Sequence, residues 1–311
     1  MLGSTDLNVS RMCFGSLTIG PLQANLPLRE GAAVIEAALD AGVNFIDTAQ
    51  LYQTYPYLRE ALRSHRHSLI VASKSYDYTY EGMRTSVEEA CREIGRDYVD
   101  IFMLHEQTSR MTLKGHYEAL RYLCDAKRQG LIRAAGVSTH TVEVVRAASY
   151  YEEIDVIHPL LNQKGLGIMG GTTADMQAAV QEAAAAGKGI FSMKPLGGGH
   201  LGCCARESIQ WVLNQPGVDA VAIGMQAVTE VAVNCRIFSY QPVEPELMKQ
   251  LAAQSRRILV QDWCTGCGSC VDHCPAQALE LENGQVVCRH ERCILCGYCG
   301  ARCPEFCLKI V

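Results

Sequence analysis

Residues 42–52 read GVNFIDTAQLY. Val43, Phe45 and Ile46 make a short β-prone apolar run, closed by the polar pair Asp47-Thr48. A buried parallel strand looks like this when its carboxyl end opens into a site. Tyr52 follows far enough behind Asp47 for the chain to turn back over the strand's end. A carboxylate and a phenol in that place form a candidate proton-transfer pair. The plainer alternative is an aspartate capping the next helix with a tyrosine packed on it. This stretch alone leaves both open.

Outward from it the chain alternates short apolar runs with amphipathic ones. Apolar runs lie at 12–17, 43–47, 68–74, 98–105, 132–138, 154–160, 189–196 and 219–225. Helical patterns fall between them at 30–41, 57–63, 81–94, 117–129, 142–151, 175–186 and 205–213, and 229–237 follows the last run. Several end at a glycine (Gly42, Gly95, Gly130, Gly187), as helix C-termini often do. Eight β/α units predict an α/β fold of the (β/α)8 TIM-barrel type, preceded by an N-terminal hairpin. An open doubly wound sheet is the alternative, and Gly197, Gly199 and Gly202 do spell G-x-G-x-x-G. That match comes late in the chain and is weak by itself. Pro242-Val-Glu-Pro245 marks a boundary, and a helix is predicted over 246–259. The expected division is a barrel over 1–240, a linker helix over 241–259 and a small α+β domain over 260–311.

A net charge of −5 without a basic tract argues against nucleic acid as a partner. The start lacks an apolar signal core and no run is long enough to span a membrane, so the cytoplasm is expected. Cysteine is the anomaly. Of 16 cysteines, eight fall in two matching runs. Cys264-x2-Cys267-x2-Cys270-x3-Cys274-Pro275 is followed by Cys293-x2-Cys296-x2-Cys299-x3-Cys303-Pro304. This is the spacing of bacterial two-cluster iron–sulfur proteins, in which the fourth cysteine of each run serves the other cluster. Two [4Fe–4S] clusters are therefore expected, one on Cys264, Cys267, Cys270 and Cys303, the other on Cys293, Cys296, Cys299 and Cys274. Zinc is the alternative, but zinc ribbons prefer two separated C-x2-C knuckles. Between the runs, Asn283-Gly284 predicts a hairpin turn. The segment resembles a bacterial two-cluster ferredoxin.

In a barrel, reactive groups belong at the carboxyl ends of strands. The second run ends at Asp47, the third at Lys74, the fourth at His105. Tyr52 would be the acid, a neighbouring ammonium lowering its pKa, a carboxylate holding that ammonium, and a neutral imidazole orienting a carbonyl oxygen. Such a set suits reduction of an aldehyde or ketone. The chain is similar to the aldo-keto reductases in Leu2-Gly3, Leu7-x-Val9-Ser10-Arg11, Gly42 to Ala49 with Tyr52, Lys74, Asp100-x4-His105, Gly130-Leu-Ile-Arg133, Gly136-Val-Ser138 and Lys194 to Gly199. It resembles the branch that carries a C-terminal ferredoxin-like segment.

The resemblance implies a catalytic tetrad of Asp47, Tyr52, Lys74 and His105, a small-molecule carbonyl or alcohol substrate, and NADH or NADPH. It also implies cofactor contacts at Ser138, Thr139, His158, Met193, Gly197, Gly198 and Asn234. Here the chain departs from the family. Ser138-Thr139 stands for Ser-Asn, His158 for a glutamine with Asn162 following, and Met193 for a stacking tyrosine. Glu230 stands where an arginine often binds the NADP phosphate, so NADP specificity is not implied. Gly197–Gly199 offers bare backbone for a pyrophosphate. Tyr76, Tyr78 and Tyr80 follow Lys74 as a candidate aromatic wall. The expectation is an oxidoreductase whose clusters relay electrons, with an external carrier of ferredoxin or flavodoxin type as partner. The alternative is an electron-transfer or redox-sensing subunit whose barrel binds without turnover.

Overall fold

The computed structural model describes residues 1–64 and 69–311. Eight parallel strands close into a barrel in sequence order. They are β1 (Met12–Gly15), β2 (Phe45–Asp47), β3 (Ile70–Ser75), β4 (Val99–Leu104), β5 (Ile132–Thr139), β6 (Val156–Pro159), β7 (Gly189–Met193) and β8 (Ala220–Gly224). β8 returns to β1 with Gly15 opposite Gly224, which closes the ring and excludes the open sheet. Each of the eight apolar runs supplies one strand; the third was expected to begin at Ser68, which lies outside the described residues.

Side chains alternate in and out of a barrel wall. Phe45, Ala72, Met103, Val156 and Phe191 point inward and pack with Ile70, Ile101, Ala134 and Ala220. Period two then carries Asp47, Lys74, His105, Ser138, His158 and Met193 onto the same inner phase, one step nearer the carboxyl end. The expected N-terminal hairpin is absent. Residues 1–11 hold no strand; Leu2 N–H donates to the Leu7 carbonyl at 2.9 Å, and both side chains plug the barrel's amino end. Buried apolar surface there outweighs the pairing of two edge strands.

The helix expected over 246–259 runs only from Pro245 to Ala252. Ile258–Val260 is instead β9, paired antiparallel with the C-terminal strand β12 (Leu308–Ile310). A short helix at Arg110–Gly115, held by a Ser109–Thr112 capping box, was not anticipated. Between β9 and β12 lies the antiparallel pair β10 (Leu279–Glu282) and β11 (Gln285–Cys288). Asn283 and Gly284 both have positive φ, 51° and 80°, as the expected two-residue turn requires. Among the described residues, no helix is long and apolar enough to cross a membrane.

Candidate active site and cysteine module

Four strand ends bring the expected residues together. Lys74 Nζ donates to Asp47 Oδ1 at 2.6 Å and to the Thr48 carbonyl at 2.7 Å. Both side chains are buried, so the pair is shielded from solvent. Tyr52 ends a single 3-10 turn, Gln50–Tyr52, and lays its ring 4.8 Å from Lys74 Nζ. His105 stands edge-on to that ring, centroids 5.6 Å apart. Its buried Nδ1 has no hydrogen-bond partner. His158 joins the group: it stacks on Phe191 at 3.9 Å and sets Nε2 3.7 Å from Asp47 Oδ1.

Burial governs the electrostatics. It raises the Asp47 carboxyl, with Lys74 opposing. It holds the His105 and His158 imidazoles well below their ordinary range, and Lys74 adds to both effects. The expectation for Tyr52 is corrected: burial first, then Asp47, push the phenol well above its usual value. Lys74 beside the ring favours the phenolate, but in the resting site burial and Asp47 outweigh it.

A second polar chain, not anticipated from sequence, lines the mouth beside His105. Tyr76 stacks on His105 at 4.3 Å and donates its hydroxyl to Glu106 Oε2 at 2.7 Å. Glu106 Oε1 lies 3.0 Å from His140 Nδ1, and His140 Nε2 is 2.8 Å from Lys194 Nζ. Burial and Lys194 bring His140 down to about 4, and burial brings Lys194 to about 8. Burial opposes ionisation of Glu106, yet the His140 bond and the Lys194 charge hold it well below the usual carboxylate range. Glu106 and Lys194 both adopt left-handed backbone, φ 48° and 56°, a conformation costing roughly 1 kcal/mol or more for a residue with a Cβ. Tyr78, by contrast, is exposed, and Tyr80 faces Tyr122 and donates to Asp125, so only Tyr76 of the three reaches the site.

Two of the residues expected to grip a nucleotide, Ser138 and Thr139, have their hydroxyls engaged within the protein. Ser138 Oγ accepts from Glu106 N–H at 2.8 Å, and Thr139 Oγ1 donates to the Gln107 carbonyl at 2.7 Å. Asn162 ties its own turn through Leu166. Met193 is half-buried at the end of β7, and Asn234 is buried in the helix Val228–Phe238. Glu230 accepts from Gln226 N–H and pairs with Arg256. In the β7 loop, Gly197 N–H and Gly199 N–H are spent on the Lys194 and Leu196 carbonyls. The Gly198 carbonyl accepts from Ile310 of β12. With Lys309, Phe306 and Ile310 packed against Gly198 and Gly199, the loop lacks the open backbone a dinucleotide pyrophosphate needs and does not fit it.

The cysteines do converge. Cys274, Cys293, Cys296 and Cys299 line one cavity with Ile258, Leu279 and Leu295. Cys270 lies within the field of Cys303, Cys264 and Cys267, which, after burial, help push its thiol up to about 11. Backbone N–H groups of Ala278 and Cys307 point at Cys274 Sγ and Cys303 Sγ, at 3.3 and 3.2 Å. Eight thiols in two such quartets, with N–H donors to sulfur, fit a pair of cubanes.

Residues 11–202 match the Aldo/keto reductase family. The chain belongs to that family. Residues 257–304 match the 4Fe-4S dicluster domain, so this aldo/keto reductase carries an iron–sulfur domain at its C-terminal end. The family generally draws on NAD(P)H. The chain is similar to the uncharacterized oxidoreductase YqkF of Bacillus subtilis, 21% identical over 307 residues, covering 82% of this chain and 96% of the other. It is also similar to the 6-dehydroglucose reductase of Novosphingobium aromaticivorans, 27% identical, covering 64% of this chain and 69% of the other. Among solved structures, a putative aldo-keto reductase from Pseudomonas aeruginosa superposes with a TM-score of 0.66 at 27% identity, covering 77% of this chain and 93% of that one.

Proposed function

We propose that this oxidoreductase interconverts a small carbonyl compound and its alcohol, with Tyr52 as the proton donor to the carbonyl oxygen. The observation that carries the reading is the buried Asp47–Lys74 pair with Lys74 Nζ 4.8 Å from the Tyr52 ring. A phenol pushed upward by burial stays protonated at neutral pH and is available as an acid. The Lys74 ammonium stabilises the phenolate left behind, and Asp47 keeps that ammonium in place. Neutral His105, its Nδ1 without a protein partner, orients the carbonyl oxygen. His158 and Phe191 wall the inner side of the site.

In this reading residues 1–240 carry the carbonyl chemistry, 241–259 link, and 260–311 hold the clusters. Cys264, Cys267, Cys270 and Cys303 hold one [4Fe–4S] cluster; Cys293, Cys296, Cys299 and Cys274 hold the other. When bound, the clusters would supply or accept, one at a time, the two electrons of each turnover, exchanged with an outside carrier of ferredoxin or flavodoxin type; Tyr52 gives the proton on oxygen, and a second proton, from water, completes the C–H bond. The β7 loop, covered by β12, does not fit a dinucleotide's pyrophosphate, so the electrons are assigned to the clusters rather than to a nicotinamide. That loop favours the second reading, an electron-transfer or sensing subunit; the assembled tetrad favours turnover.

The test is anaerobic. Cluster-loaded protein is assayed with a panel of small aldehydes and ketones, reduced methyl viologen as donor, and EPR to follow the clusters. Tyr52→Phe is expected to lower turnover at least ~100-fold, in the range of general-acid catalysis, while leaving the cluster signals intact. Turnover surviving both Tyr52→Phe and Lys74→Met would sink the tetrad assignment.

A further inference from the structure

The barrel's open face carries three glycines, Gly167, Gly198 and Gly199, each with its nearest neighbour in the iron–sulfur domain. A Cβ on Gly199 would collide with the Ile310 carbonyl, and one on Gly198 would come within 2.9 Å of Lys309 and 3.1 Å of Phe306. On the neighbouring loop after β6, a Cβ on Gly167 would meet the Phe306 ring at 2.8 Å. The contact is reciprocal. Gly300 leaves room for the His200 ring, and a Cβ on Gly297 would lie 2.6 Å from the His200 carbonyl. His200 is buried, and its Nε2 sits 2.8 Å from the Leu308 carbonyl.

Hydrogen bonds fix the seat. Ile310 N–H donates to the Gly198 carbonyl at 2.9 Å. Lys309 Nζ donates to the Phe306 carbonyl at 2.6 Å and lies 3.1 Å above the Phe306 ring, with Lys194 Nζ 5.4 Å from the same centroid. The far end of the face is tied down too, since Glu230 pairs with Arg256 of the linker. In the placement that the resemblance to the aldo-keto reductases implies, a dinucleotide would rest on those two places, its pyrophosphate on the β7 loop and its adenosine half beside Glu230 and Asn234. One is covered by β12, and at the other the carboxylate is already paired.

We infer that β12 and Phe306 occupy the track a dinucleotide would take across this barrel, so that seating of the iron–sulfur domain and binding of NAD(P)H exclude each other. The glycines of the β7 loop then serve the approach of a strand rather than of a phosphate. This goes beyond the catalytic reading above, and its test does not depend on turnover.

The cluster-loaded full chain is titrated with NADPH and with NADH by calorimetry, while hydrogen exchange follows the Ile310 amide. Wild type is expected to bind either nucleotide at least tenfold more weakly than Phe306→Ser/Ile310→Asp. At saturating nucleotide the wild-type Ile310 amide is expected to lose its protection. Gly199→Ala, which changes no residue of the cysteine module, provides the same comparison should the double variant lose clusters. Tight binding to wild type with the Ile310 amide still protected would overturn the inference. So would an unseated variant that binds no better than wild type. Loss of carbonyl turnover in Tyr52→Phe is a separate result that neither outcome moves.

Discussion

The phenol of Tyr52 holds its proton more firmly than a free tyrosine because burial and the Asp47 carboxylate act in the same direction. The histidines around it are shifted the other way. His105, His140 and His158 are all kept neutral by burial, His140 down to about 4. Unfolded histidine titrates near ~6.5, so between that pH and about 4 the unfolded chain binds more protons than the folded one. Stability should therefore be complete above pH 6.5 and fall as pH drops through that window, by up to about 3 kcal/mol for His140 alone. His140→Gln should flatten part of that acid limb, read as the thermal midpoint of cluster-loaded protein between pH 5 and pH 8. An unchanged slope would mean that His140 is not buried as a neutral group. Asp47, Lys74 and His105 were legible in the sequence because each closes an apolar run on the inward phase. Glu106, His140 and Lys194 were not. Glu106 and Lys194 sit in left-handed turns with no glycine to announce them, and their partners come from different strand ends.

At the scale of elements, the barrel was legible because each strand is a compact apolar run between amphipathic stretches, a signal that needs no distant partner. The stretch at 246–259 was misread for the opposite reason. Ile258-Leu-Val260 continues an apolar pattern, and only its pairing with Leu308–Ile310 makes it a strand. The hairpin between the two cysteine runs shows both kinds of information in one place. Gly284 has φ 80° and open space around a would-be Cβ, so Gly284→Ala should cost only about 1–2 kcal/mol of backbone strain. A Cβ on Gly266 would instead collide with the Gly284 carbonyl, and Gly266 lies between the first two cysteines of its quartet. Gly266→Ala should therefore lose roughly half the bound iron and sulfide, two cubanes being the full complement, while Gly284→Ala keeps nearly all of it. Equal iron content in the two variants would show that this approach does not shape the first cysteine loop.

Taken whole, the molecule places a fifty-odd-residue cysteine module, too small for much core of its own, against the open end of a barrel. Its own apolar cluster is small, formed by Ile258, Leu279, Val286 and Leu308 around the cysteines. Seating on the barrel adds Phe306, Lys309 and Ile310 to what holds it, and the junction should report on that seating. Arg257 exchanges backbone hydrogen bonds with Val311 in both directions, at 2.8 and 3.0 Å, and Arg256 is paired to Glu230. Trypsin must detach this segment before it can cut after either arginine. The Arg256–Glu230 pair is partly exposed on the arginine side, so Glu230→Gln should weaken the seat by less than ~1 kcal/mol. Phe306 is buried between Gly167, Gly198 and Lys309, and Phe306→Ser should cost several times more, about 3 kcal/mol or above. Cleavage after Arg256 and Arg257, followed by mass spectrometry, should consequently be faster by tenfold or more in Phe306→Ser and hardly changed in Glu230→Gln. Were both variants cut at the wild-type rate, the strand β12 would not be the clasp that holds the two parts together.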